Sequence, residues 1–145
     1  MRIEKNIYVV ARSAFGQLYI WERGKGNTLS ILSLMNMIFL SADADRESFS
    51  EEEENFAMNR FLAKDAEDLD QEDSSDNPLF ERALKKLGKV EVNEMYAYKT
   101  SHFLGGKESI RNLIKVDLFN HASIQKQLKE PVVSVSDMLN NTITY

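Results

Sequence analysis

Apolar positions near the start of the chain follow a short period. Ile7-Tyr8-Val9-Val10 is β-branched and aromatic, which predicts a strand. Ser13-Ala14-Phe15-Gly16 supplies a turn, and Gln17–Glu22 then alternates, with Leu18 and Ile20 on one face and Tyr19 and Trp21 on the other. Both faces are apolar, so this strand is expected to be covered on both sides. Gly24-Lys25-Gly26-Asn27 predicts a hairpin, because glycines accept the positive φ of tight turns. Thr28–Leu34 then pairs back, and Met37–Leu40 follows as a further short strand after a turn at Asn36.

The period changes near Phe49. Ser50 and Glu53 have the spacing of a capping box, and Phe49, Phe56, Phe61 and Leu62 read as an apolar stripe, so a helix is predicted over 51–65. The run after it, with Ser74-Ser75, reads as an exposed loop. A second helix is expected over 78–87, starting at Pro78 behind an Asp76 or Asn77 cap and closed by Gly88. Lys89–Ser101 returns to strand-like residues, with Val90, Val92, Tyr96 and Tyr98 on one alternating set and a possible break at Asn93-Glu94. Gly105-Gly106 marks a turn. Ile110, Leu113, Ile114, Leu118, His121, Ile124 and Leu128 predict a long amphipathic helix over 108–128, ended before Pro131. The tail, 129–145, holds Val132, Val133 and Val135, then Met138 and Leu139, and is read as a strand or a short turn of helix. Strands, then helices, then strands and helix again predict one α+β domain over 1–145, an antiparallel β-sheet packed against about three α-helices.

Composition narrows the function classes. With 145 residues and 43% apolar content the chain can build a core. The absence of cysteine excludes disulfides, thiolate metal sites, iron–sulfur clusters and a cysteine nucleophile. Ile31–Leu40, the longest apolar stretch, is far short of the roughly 20 residues that span a bilayer, and no basic segment leads into an apolar signal core. A cytoplasmic location without membrane contact is expected. The net charge of −5 is the wrong sign for direct nucleic-acid binding. That total conceals an asymmetry: Asp43 to Asp76 holds 14 acidic and 3 basic residues, net −11, against 9 acidic and 15 basic elsewhere, net +6. The acid falls into two blocks, Glu51-Glu52-Glu53-Glu54 and Asp65 to Asp73. They read either as a solvated helix face with a loop, or as a surface that steers a basic partner.

Catalytic constellations are scarce. His121 sits on an apolar stripe and reads as a core histidine; His102 lies between a strand and a glycine turn, where an imidazole could titrate or touch a partner. Two distant histidines make a poor zinc site, and contiguous carboxylates suit solvation better than acid–base work. Neither Gly24-Lys25-Gly26 nor Gly105-Gly106-Lys107 has phosphate-loop spacing, and Gly105-Gly106 ahead of a helix reads as a turn rather than an anion site. No nucleophile elbow is present. Tyr19 and Trp21 with Tyr96 and Tyr98 read as core or interface aromatics rather than a base-stacking platform.

The order of several segments resembles a known family. They are Phe15-Gly16-Gln17-Leu18-Tyr19-Ile20-Trp21, Leu79-Phe80-Glu81-Arg82-Ala83 with Leu87-Gly88, Glu94-Met95-Tyr96-Ala97-Tyr98, Leu104-Gly105-Gly106, Asn112-Leu113-Ile114-Lys115-Val116 and His121. Over about 13–128 the chain is similar to the carboxy-terminal domain of type VI secretion immunity proteins of the Tdi kind, which often follows a so-called GAD-like domain. Lys99-Thr100-Ser101-His102 departs from the family's proline and small apolar residues. About a dozen residues precede Phe15, so no GAD-like domain is expected within this sequence, which reads either as a stand-alone version or as a fragment. The resemblance implies an antitoxin that binds a cognate effector toxin one-to-one, a DNase in related systems, and blocks its active site, with no enzyme activity and no cofactor. A nuclease cleft is positive. The partner-binding residues are therefore expected among Glu51, Glu52, Glu53, Glu54, Asp65, Glu67, Asp68, Asp70, Glu72 and Asp73, with Tyr96 and Tyr98 as aromatic anchors. Two other readings stand beside it: a small-ligand-binding or regulatory sensing domain with a pocket around Tyr96, His102, Gly105 and Gly106, and a hydrolase whose acid pair lies in the acidic runs.

Overall fold

Four consecutive strands open the computed structural model, which describes residues 6–41, 47–136 and 142–144. They are β1 (Ile7–Arg12), β2 (Gln17–Glu22), β3 (Gly26–Leu32) and β4 (Met37–Ser41), paired antiparallel in chain order. Three helices follow: α1 (Glu51–Leu62), α2 (Phe80–Leu87) and α3 (Leu118–Leu128). Between the last two, β5 (Glu94–Tyr98) and β6 (Leu113–Asp117) form a separate antiparallel pair. The chain then returns to the first sheet as β7 (Val132–Ser136), parallel to β4, with β8 (Thr142–Thr144) antiparallel outside it. The sheet order is β1-β2-β3-β4-β7-β8, an α+β arrangement as the change of period predicts. The tail thus contributes strand; Met138 and Leu139 lie outside the described residues, as do Asp43 and Asp45 of the acidic stretch.

The parallel return is set by one residue. Asn36 adopts the left-handed conformation (φ 52°), which asparagine tolerates better than most residues. Its side-chain amide donates to Lys129 O at 2.8 Å, and its carbonyl accepts from Val132 N at 3.0 Å. Residues 93 positions apart are thereby brought into register at the start of β7.

The core is centred on β5. Met95, Tyr96, Ala97 and Tyr98 are all buried, so both faces of this strand are covered, with Phe15, Leu34, Leu79, Ala83, Leu113 and Leu118 packed around it. Tyr96 N donates to Ala14 O at 2.8 Å, and the Arg12 guanidinium donates to the carbonyls of Glu91 and Glu94, joining the small pair to the large sheet. Gly16 (φ +75°) lies where a Cβ would meet the Met95 side chain at 2.6 Å. β2 is covered on both sides as its pattern predicts, with Tyr19, Ile20 and Trp21 buried.

Three expectations are corrected. The segment 108–117 is not helical: Ile110–Asn112 is a single 3-10 turn and Leu113–Asp117 is a strand, with α3 starting only at Leu118 behind an Asp117 cap. Ile110, Leu113 and Ile114 mimic a helical spacing, but Ile114-Lys115-Val116 is β-branched around one polar residue, and pairing with β5 decides the outcome. Val90 and Val92 lie ahead of the strand and Val92 is exposed. α2 begins at Phe80, not Pro78, and its first amide is taken by a distant carboxylate rather than by Asp76 or Asn77.

A Cβ at Gly106 would lie 1.8 Å from the Thr100 carbonyl oxygen, whereas one at Gly88 (φ +75°) meets nothing within 4 Å. Gly106→Ala is therefore expected to cost about 3 kcal/mol or more and Gly88→Ala only about 1 kcal/mol, read by urea unfolding.

Candidate protein-docking surface

The first acidic block opens α1. Ser50 accepts from Glu53 N at 3.3 Å while Glu53 accepts from Ser50 N at 2.8 Å, the reciprocal capping box that the spacing predicts. The Ser50 backbone amide, and then its side chain, hold the Glu53 carboxyl below its ordinary range. Glu54 turns to the sheet instead. Its Oε1 accepts from Gly24 N and from Trp21 Nε1, both at 2.9 Å, which lowers its pKa. Glu51 and Glu52 are exposed and make no side-chain hydrogen bond or ion pair among the described residues.

α1 buries no residue completely. Its inner face meets β2 through Phe61, whose ring lies edge-on to Tyr19 and Trp21 at 5.2 and 5.9 Å. Of the rest of the expected stripe, Phe49 is half-buried beside Gly26, whereas Phe56 is 65% exposed and Leu62 61%. Phe56 stands about 140° around the helix from Phe61, so the two cannot share one face.

The second block is tied to the backbone. Asp68 accepts from Asp65 N at 3.1 Å across a 3-10 turn, Ala66–Leu69. Asp70 accepts from Phe80 N at 2.8 Å and so caps α2 from ten residues upstream. Asp73 accepts from the amides of Ser75 and Asn77 and pairs with Arg82 at 2.7 Å. Arg82, then those amides, hold its carboxyl far below the usual range. Glu67 and Glu72 carry no such bonds among the described residues. The two blocks sit at opposite ends of α1, about 18 Å of helix apart. That exceeds the ~8 Å screening length at physiological salt, so they act as two fields rather than one.

Tyr96 and Tyr98 are not surface anchors. Tyr96 is wholly buried, donates to Gly88 O at 2.6 Å and packs on Phe15. Tyr98 is buried too, and burial, with the Glu108 and Asp73 carboxylates, pushes its pKa up to about 12. Their alternation is real, but β5 is covered on both faces. The sensing pocket does not assemble either: Tyr96 is sealed in the core, whereas His102 is exposed and pairs with Glu108 at 3.1 Å. His121 is a core histidine, 3.2 Å from the Gln125 amide nitrogen, with its pKa lowered by burial against a bond to the Ser33 backbone. Among the described residues no cluster of three or more His, Asp or Glu is placed to hold a metal ion, and no helix is long and apolar enough to cross a membrane.

A feature that sequence reasoning missed lies beside α1. A groove of about 810 Å³ runs between β1 and the helix, lined by Tyr8 and Val10 on one side, Met58 and Glu51 on the other, with Trp21 below. Alternation marks Tyr8 and Val10 as sharing a face, but only the helix position shows that the face is half open.

Residues 50–129 match the family described as T6SS immunity protein Tdi1, C-terminal. The chain belongs to this family. The matched span begins at the cap of α1 and takes in both acidic blocks, α2, the β5–β6 pair and α3. The crystal structure of Atu4351 from Agrobacterium tumefaciens shares the fold at TM-score 0.78 and 22% identity, over 95% of this chain and 62% of that one. The chain thus spans less than two thirds of that structure's length. No curated protein matches the sequence.

Glu54→Ala removes two accepted hydrogen bonds and is expected to cost about 1–2 kcal/mol, whereas Glu52→Ala stays within about 0.5 kcal/mol. Because the folded pKa of Glu54 is lowered, its contribution is full above the ordinary glutamate value and is lost as pH falls through the folded one. The gap between wild type and Glu54→Ala in thermal melts should therefore narrow below about pH 4.5.

Proposed function

We propose that this chain is an immunity protein that binds a cognate type VI secretion effector, one copy to one, in the cytoplasm, and neutralises it by covering its active site. Membership of the Tdi1 carboxy-terminal family carries the reading. The effector is a nuclease on this view. A nuclease must hold a phosphate backbone in a positive cleft, and the acidic fields at the two ends of α1 complement such a cleft. The chain acts by occupancy and performs no turnover of its own. Co-expression with the toxin encoded beside it tests this: restored growth together with an isolable complex is expected. Persistent toxicity with no complex would overturn the reading, as would reproducible hydrolysis by the chain alone that a point mutation abolishes.

The carboxylates that bond the backbone are unsuitable probes of the field, since neutralising them weakens the fold. Glu51, Glu52, Glu67 and Glu72 are the suitable set. Changing all four to glutamine is expected to slow association with the toxin by about ten-fold at low salt and to flatten its salt dependence. Dissociation should change little. Stopped-flow rates from low to high salt check this, and equal rates for the two proteins would dismiss a steering role.

A further inference from the structure

The edge formed by β1 is built unlike a protected one. Ile7-Tyr8-Val9-Val10-Ala11 carries no charge and no proline, and Tyr8 and Val9 are 52% and 58% exposed. β1 ends the sheet order and pairs with β2 alone among the described residues. Among the described residues its protection is limited to a bulge between Val9 and Ala11 and to Arg12 at its end, whose guanidinium is bound to the Glu91 and Glu94 carbonyls. Sheet edges of this composition pair with other chains unless something covers them. The groove between β1 and α1 runs alongside, with an apolar wall at Tyr8 and Met58 and the unengaged carboxylate of Glu51 at its rim.

Charge selects the occupant. A second apolar surface, on α3, exposes Phe119, Ile124 and Leu128, but that helix carries Lys126 and no carboxylate. A basic partner gains little there beyond the Asp117 cap and is attracted to α1, whose first turn holds four glutamates, with Arg23 the one basic residue lining the groove among the described residues. A second copy of this chain is disfavoured at the β1 edge. Two-fold pairing of β1 with itself sets two acidic helices side by side on one face of a continuous sheet.

We propose that the β1 edge and the adjoining groove accept an extended basic segment of the effector, which adds to the sheet as a strand next to β1. The backbone groups of β1 supply hydrogen bonds, and alternate side chains of the incoming strand supply specificity. An apolar residue lies against Tyr8 and Met58 while a lysine or arginine meets Glu51. This site rests on the immunity reading for its occupant but not for its geometry.

Two measurements test it. In the first, the nitrogen-15-labelled chain is titrated with a synthetic peptide of alternating arginine and valine, and with its glutamate–valine counterpart. The basic peptide is expected to shift the amide signals of residues 7–11 and of α1, and the acidic one to shift neither. Shifts elsewhere, equal shifts from both peptides, or none at all would overturn the surface. A dimer in sedimentation with β1 amides already protected would assign the edge to a second copy and also overturn it.

In the second, the affinity of the neighbouring toxin is measured for the wild type, the Tyr8→Ser/Glu51→Lys double variant and the α3 control Ile124→Ser. The double variant is expected to bind at least about ten-fold more weakly and the control within about two-fold. Equal binding by the double variant would overturn the groove while leaving the immunity reading intact. A wild type that binds no toxin, with the peptide still mapping to β1, would overturn the effector as occupant and the immunity reading with it. If the double variant melts early, amide exchange in the wild-type complex decides: slowed exchange at residues 7–11 is expected, and unchanged exchange refutes the strand.

Discussion

The carboxylate of Glu54 accepts from the Trp21 indole and the Gly24 amide, and the acidic side of the molecule takes its position from that pair of hydrogen bonds. α1 has no fully buried residue, so dispersion alone attaches it weakly to the sheet. Phe61 contributes two edge-on ring contacts at the far end, and Glu54 fixes the near end to the β2–β3 turn. A helix held at two points leaves a gap along its flank. The groove beside β1 is that gap, and its acidic rim follows from the same first turn that supplies Glu54.

Negative charge here has two uses that sequence composition merges. Backbone amides at helix starts and tight turns need acceptors, and Glu53, Asp68, Asp70 and Asp73 provide them. The carboxylates of Glu51, Glu52, Glu67 and Glu72 make no hydrogen bond or ion pair among the described residues and stand exposed. The two uses reinforce each other. The capped turns order the backbone, so the unengaged glutamates project from defined positions along it. Part of the −11 between Asp43 and Asp76 is therefore structural chemistry, and only the remainder is free to steer a partner.

Local rules carried far along this chain and failed where tertiary contacts decide. The β1–β4 meander, the Ser50–Glu53 box and the Gly88 end of α2 follow from alternation, capping and turn chemistry within a few residues. β6 was legible only as apolar residues at an ambiguous spacing, because its strand state depends on β5. The parallel β4–β7 pair rests on Asn36 meeting Lys129 and Val132, a contact no local pattern encodes. Capping of α2 by Asp70 is likewise non-local, so the nearer Asp76 and Asn77 looked the better candidates. Tyr96 and Tyr98 show the limit of alternation: it assigns residues to a face and leaves open whether that face meets solvent. The acidic blocks were visible as charge, and their division into bonded and free carboxylates appeared only with the backbone in place.

Charge and apolar surface answer different parts of tight inhibition. On the proposed reading, free carboxylates at both ends of α1 would raise the encounter rate with a positive cleft, an advantage that salt screens within about 8 Å. Residence depends on desolvated contacts, since most affinity differences among related complexes lie in dissociation. The acidic blocks alone offer few such contacts, because their engaged members face the backbone and their free members face water. The tyrosines expected to anchor a partner are committed to the core. Beside the charge lies the Ile7–Ala11 run of the β1 edge with Tyr8 and Val9 exposed, next to a groove whose opposite wall is the acidic helix itself. An inhibitor that must capture its target quickly and release it slowly needs both properties within one contact area, and the proposed site, where α1 passes β1, would supply them together.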